Sequence, residues 1–158
     1  MENIHATAVD IKGSGVLIIG HSGAGKSDLA LRLIENKGAV LVSDDRVDLK
    51  AENDRLIATA PKTIEGLLEV RGIGIVKTDF KPSTTIELVV AAASSEEIER
   101  HPQDCFFKNQ NVCVPSVLLN LFEPSAPDKI VVKLKAVLER KKETLYDGAD
   151  SSKIRAEK

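Results

Sequence analysis

Hydrophobic and polar positions alternate from Ile4 to Ile11, with Thr7, Val9 and Ile11 on one face and Ile4, Ala6 and Ala8 on the other. A period of two predicts a strand. Lys12-Gly13-Ser14-Gly15 is a turn signal, and Val16-Leu17-Ile18-Ile19 is too apolar for a half-exposed strand, so the two form a hairpin. From Ser27 to Asn36 the period becomes helical, with Leu29, Ala30, Leu33 and Ile34 inward. Lys37-Gly38 ends it as a basic last turn followed by glycine should. Val40-Leu41-Val42 is a further buried strand, and Val47–Lys50 with Leu56–Thr59 predicts a second hairpin.

Leu67–Val70 and Gly74–Val76 are strand-like pieces broken at Arg71-Gly72, and Ile86–Ala92 is strand. Ser94 and Glu97 form a capping pair that opens a short helix over Ser95–Arg100. Phe106–Phe122 mixes strand and turn signals with no single period. Pro127–Lys141 is helical, with Ile130, Val131, Leu134, Val137 and Leu138 on one stripe. Lys142–Lys158 is polar and mixed in charge, which predicts a flexible tail after one domain of residues 1–141. Strands alternating with helices predict an α/β fold, a mixed β-sheet with flanking helices.

Composition narrows the function classes. The 158 residues suit one domain, and 22 Lys plus Arg against 24 Asp plus Glu give a net charge of −2. That balance removes the electrostatic reason to expect nucleic acid as a partner. With one Tyr, four Phe and no Trp, base stacking is not expected as a main activity. Met1 to Ala8 carries no basic segment followed by an apolar run, and no apolar stretch approaches a membrane span. The expectation is a cytoplasmic protein with no membrane partner, in which Cys105 and Cys113 are free thiols.

The chemistry begins at Gly20-His21-Ser22-Gly23-Ala24-Gly25-Lys26-Ser27, which fits G-x-x-x-x-G-K-[ST] between an apolar strand and an amphipathic helix. Glycines let backbone N–H groups turn inward around phosphates. Lys26 supplies a mobile positive charge for the terminal phosphates, Ser27 a hydroxyl for Mg²⁺, and the helix its positive dipole end. The loop therefore points to a phosphate-bearing ligand with Mg²⁺. It is a P-loop.

Ser43-Asp44-Asp45 closes the next apolar strand. Carboxylates at such a strand end lie beside the phosphate loop, to hold Mg²⁺ or to take a proton. Neighbours on a strand point to opposite faces, so the pair divides its labour; a plain acidic turn between Val42 and Val47 is the alternative. A GTPase loses ground, because the one Asp-x-x-Gly, Asp10 to Gly13, precedes the loop and Asn36-Lys37-Gly38-Ala39 lacks the final Asp. A nucleotide monophosphate kinase would carry an arginine-rich lid, and the arginines here are scattered. What remains is a compact kinase-like domain, with a nucleotide-sensing module or a small-molecule kinase as rival readings.

The order His5, then the P-loop, then Val42-Ser43-Asp44-Asp45, then Leu68-Glu69-Val70-Arg71-Gly72-Ile73-Gly74-Ile75 resembles the catalytic domain of bacterial HPr kinase/phosphorylase. The Glu69–Ile75 stretch is the telling part, because ordinary P-loop proteins do not carry it. The similarity runs from His5 to Arg100 and more weakly to Leu138, as in a short form of the family without the N-terminal domain of longer members. The resemblance implies Mg-ATP-dependent phosphorylation of a serine of HPr, the phosphocarrier of the sugar phosphotransferase system. It also implies reversal with inorganic phosphate and a tendency to homo-oligomers.

By the same resemblance Asp45 is the general base towards the acceptor serine, and Asp44 sits near metal and phosphates. Glu69 supports Mg²⁺ with Ser27, Lys26 and Arg100 neutralise the phosphoryl group in transfer, and His5 is the family's strand histidine. Taken alone, His5 is a plain strand residue, Glu69 and Arg71 an edge-strand charge pair, and Arg100 a solvated helix end. Departures are visible too. Ala6 follows His5 where long members have Gly, and His21 stands where their loop often has Asp. The Pro-Gly-Arg-Asn-like turn used in dephosphorylation is replaced by Val112-Cys113-Val114-Pro115-Ser116.

Overall fold

A computed structural model describes residues 1–146 of the chain. The elements are β1 (Glu2–Ile11), β2 (Ser14–Ile19), α1 (Lys26–Lys37), β3 (Ala39–Ser43), β4 (Arg46–Glu52), β5 (Arg55–Thr59), β6 (Leu67–Val70), β7 (Gly74–Lys77), β8 (Ser83–Ala92), β9 (Cys105–Asn109), β10 (Val112–Leu119) and α2 (Ala126–Tyr146). The expected α/β architecture is present.

One mixed sheet of eight strands forms the body, and β6 and β7 make a separate two-stranded ribbon. Pairings run from β1 to β2, β2 to β8, β8 to β5, β5 to β4 and back from β4 to β1, so five strands close a ring. Closure gives each of these five strands a hydrogen-bonded neighbour on both edges. On one side of the sheet, Leu29, Ala30 and Leu33 of α1 and Ile130 and Leu134 of α2 cover Val9, Val16, Ile18, Leu41, Leu88 and Val90. On the other, Ala6, Ala8, Leu17, Val89 and Ile86 pack with Val47, Leu49, Leu56 and Ala58 of the β4–β5 hairpin. Leu17 faces one core while Val16 and Ile18 face the other, which is why β2 is apolar without interruption.

The β1–β3 ladder is not regular. Val9 opposes Leu41 but Ala8 opposes Ser43, so Val42 is an extra residue, a β-bulge just before the acidic pair. Three further expectations change. The helix over Ser95–Arg100 is only a 3₁₀ turn, Ser95–Glu97. Glu97 Oε1 accepts from the Ser94 amide and hydroxyl at 3.0 and 2.9 Å, and Pro102 disfavours helical geometry in the residue before it. Phe106–Phe122 is mostly the β9–β10 hairpin, turning at Gln110 and Asn111, both with positive φ. The second helix continues through Tyr146, beyond the expected end at Lys141. The remainder of the expected tail, 147–158, lies outside the described residues.

Asp10 ties the hairpin to β8. Its Oδ1 accepts from the Gly13 amide at 2.8 Å, and its Oδ2 from Thr84 Oγ1 at 2.6 Å and Lys81 Nζ at 3.0 Å. Burial pushes this carboxyl up, but the bonds from Thr84, Lys81 and Gly13, with the Lys81 charge, outweigh it and hold the group below its usual value. A carboxylate with a lowered folded pKa stabilises above its unfolded value, and that stabilisation is lost as pH falls through the folded value. Urea unfolding should therefore find Asp10→Asn less stable by about 1.5–3 kcal/mol at neutral pH. The difference should shrink in acid, and a gap independent of pH would contradict the assignment.

Candidate active site

Strand directions bring the functional residues to one edge. Strands β8 and β10 run parallel, as do β2 and β8, while β1 is antiparallel to both β2 and β3. The C-terminal ends of β2, β3, β8 and β10 and the N-terminal part of β1 therefore meet. Ligand sites of open α/β sheets form at such strand ends.

The glycine loop spans the step from β2 into α1. Gly23 and Gly25 have φ of +83° and +98°, a region that side chains with a Cβ rarely enter. A Cβ at Gly25 would also come to 3.0 Å from the Phe122 ring, and one at Gly20 to 2.7 Å from Ala92. Ala24 is buried against Gly20, whereas His21 and Ser22 are exposed, with His21 Nδ1 2.7 Å from the Ser22 carbonyl oxygen. Lys26 Nζ donates to the carbonyls of Gly20 and His21, both at 2.8 Å. Two of its three protons shape the loop, and the third is free for an anion. Burial pulls the Lys26 pKa below the ordinary lysine value, and the charges of Asp44 and Asp45 offset part of this.

Asp44 is buried at the centre of the site. Its Oδ1 accepts from Ser27 Oγ at 2.7 Å and Thr7 Oγ1 at 2.9 Å, and its Oδ2 from the Glu69 amide at 3.1 Å. Because Ser27 gives its proton to Asp44, its oxygen lone pairs remain for a cation. The oxygen donors Ser27, Asp44 and Glu69 suit Mg²⁺, a hard ion that keeps several waters. No cluster of three His, Cys, Asp or Glu among the described residues could hold a metal unaided, so phosphate oxygens and water belong in such a shell.

Asp45 is different. Both aspartates lie beyond the end of β3, in the turn before β4, where Asp45 takes φ +70°, so the pair is separated by this turn and not by regular strand alternation. The amide plane of Asp45 is tied down by the Ala6 N–H donating to its carbonyl oxygen at 3.2 Å. Its side chain is 72% exposed and meets His5 Nε2 at 3.2 Å. One carboxylate is thus buried and fully bonded, and the other is open to the cleft.

A cleft of about 370 Å³ collects His5, Ser22, Gly23, Gly25, Lys26, Ser27, Asp45 and Glu69. Gly20, His21, Ala24 and Asp44 do not line it; Ala24 and Asp44 are buried and His21 is exposed. Arg100 is not brought in; it lies on the exposed stretch between the 3₁₀ turn and β9. The arginine that lines the cleft is Arg71, within the telling sequence stretch but not among the expected site residues. Thr7 and Phe122 were also not expected there. Thr7 carried a signal, a polar residue on the face shared with Val9 and Ile11; Phe122 carried none. A larger groove of about 630 Å³ between α2 and the β9–β10 hairpin contains none of the expected site residues.

Residues 1–151 match the model of the HPr Serine kinase C-terminal domain. The chain belongs to that family. Among members of the HPr serine kinase family, HPr kinase/phosphorylase of Caldicellulosiruptor bescii is 32% identical over 98% of this chain and 53% of its own length. That of Caldanaerobacter subterraneus subsp. tengcongensis is 35% identical over 92% of this chain and 51% of its own. The chain spans about half the length of these curated relatives. The solved structure of the HPr(Ser) kinase/phosphatase from Coxiella burnetii superposes with a TM-score of 0.76 at 28% identity, over 90% of this chain and 99% of that one. No helix among the described residues is long and apolar enough to cross a membrane.

Proposed function

We propose that this domain is an Mg-ATP-dependent serine kinase that phosphorylates the phosphocarrier HPr, a reading that puts it in the cytoplasm. The observation that carries it is the exposed Asp45 carboxylate lining the same cleft as Lys26 and Ser27. The names of the relatives supply the identity of the acceptor.

In this reading the loop amides and Lys26 hold the β- and γ-phosphates, and Asp45 accepts the proton of the acceptor serine. The serine oxygen–phosphorus bond forms as the bond from phosphorus to the β-phosphate oxygen breaks, and ADP leaves. Mg²⁺, held through Ser27, Glu69 and the network of Asp44, supplies charge neutralisation on the phosphates. His5 steadies the Asp45 carboxylate, and Arg71 adds a cation to the lining of the cleft. Arg100 would join them only through movement of its loop.

The test is mass spectrometry of HPr incubated with the protein and Mg-ATP. One phosphoryl group on serine is expected, and its removal with release of pyrophosphate under excess inorganic phosphate would add the reverse reaction. Nucleotide binding with no phosphoserine on HPr would sink the kinase reading.

A further inference from the structure

We infer that Phe122 is the platform on which the adenine of the bound nucleotide stacks, an inference that rests on the kinase reading of the same cleft. Phe122 is 62% exposed, yet the backbone on both sides of it is tightly held. Its amide donates to Asn120 Oδ1 at 3.0 Å, and Asn120 Nδ2 in turn donates to Ser95 Oγ at 2.9 Å. From α1, Arg32 donates to the carbonyl of Glu123 at 3.0 Å and to that of Leu121. Lys129 Nζ closes the far side on Glu123 at 2.7 Å. An aromatic ring left open to solvent on a loop fixed by this many bonds is pre-organised, so a stacked partner costs little ordering entropy.

The placement fits a base. The ring stands over Gly25, at the mouth of the helix that would take the phosphates. Most side chains around the cleft are charged or polar, and Phe122 with Leu31 and Val70 forms its apolar part. A nucleoside triphosphate divides in the same way, with an anionic chain at one end and a flat, weakly polar ring at the other.

A purely structural role for the ring, as a cap on the glycine loop, makes a different prediction. The experiment compares Mg-ATP with Mg-tripolyphosphate, which carries the same anionic chain and no base. Titration calorimetry of Phe122→Ala should show ATP affinity falling about five- to fifty-fold, with tripolyphosphate affinity unchanged within about twofold. Because the sequence has no Trp, Phe122→Trp introduces the sole indole. Its emission should be quenched by ATP and left alone by tripolyphosphate. Equal weakening of both ligands, or of neither, would overturn the stacking assignment, as would a rise in KM for HPr alone. Discrimination between the two probes without any transfer to HPr would leave the stack standing and remove the kinase. Transfer with an ATP affinity indifferent to Phe122 would do the opposite.

Discussion

Asp45→Asn is expected to slow phosphoryl transfer to HPr by about a hundred- to ten-thousand-fold, the usual worth of a positioned general base. Asn fills the same volume and tolerates the left-handed backbone that Asp45 adopts at φ +70°, so the turn should survive. Ala would confuse the result by adding backbone strain. The His5 contact at 3.2 Å persists as a neutral bond to the amide, while the proton acceptor is gone. Nucleotide affinity should not fall, because Lys26 and the loop amides remain and the variant takes a negative charge out of the cleft. Single-turnover quench-flow with labelled ATP separates the two quantities, and transfer at the wild-type rate would remove Asp45 from the chemistry.

Lys26→Ala should cost about a hundred- to a thousand-fold in transfer, as loss of a donor aimed at developing charge does. Here binding falls as well. The two bonds from Nζ to the Gly20 and His21 carbonyls, both 2.8 Å, hold the loop in the shape that turns its amides inward. Removing them frees two carbonyls and softens the cradle along with the charge. Lys26→Arg should not rescue activity, since a planar guanidinium cannot place a point charge between those carbonyls. Thermal melts of all three proteins serve as the folding control. If Ala and Arg variants kept ATP affinity and rate, the loop would not be a phosphate site.

Local patterns revealed the elements that bury one regular face, and missed those whose shape depends on distant partners. The β1–β2 hairpin, α1 and the glycine loop each carry their own signal: alternation, a 3.6-residue stripe, and glycines where φ is positive. Strand β8 begins at Ser83, earlier than its apolar run, because Ser83–Thr85 pairs with β5, a contact no local window contains. The β9–β10 turn was hidden because Gln110 and Asn111 take up positive φ without a glycine, and Pro115 interrupts the strand pattern. At the site, the loop and both aspartates were readable, and the pair differs in burial through a turn and not through strand alternation. Arg71 and Arg100 illustrate the limit: both are basic residues near family motifs, and only the folding of the β6–β7 ribbon over the cleft tells them apart.

The extra residue at Val42 sets the phase of the whole catalytic corner. In an unbroken ladder Ala8 would oppose Val42, Thr7 would oppose Ser43, and Asp44 would fall on the Ala6 side, away from Ser27. The bulge advances β3 by one position, so Asp44 comes to the side of Thr7 and Ser27, while the Asp45 backbone meets Ala6 and its side chain reaches His5 from the turn. Which carboxylate is buried and which is exposed therefore follows from residue counting along β3, since both side chains are chemically the same. A relative whose β3 paired without this bulge would have its two aspartates on exchanged faces of the sheet.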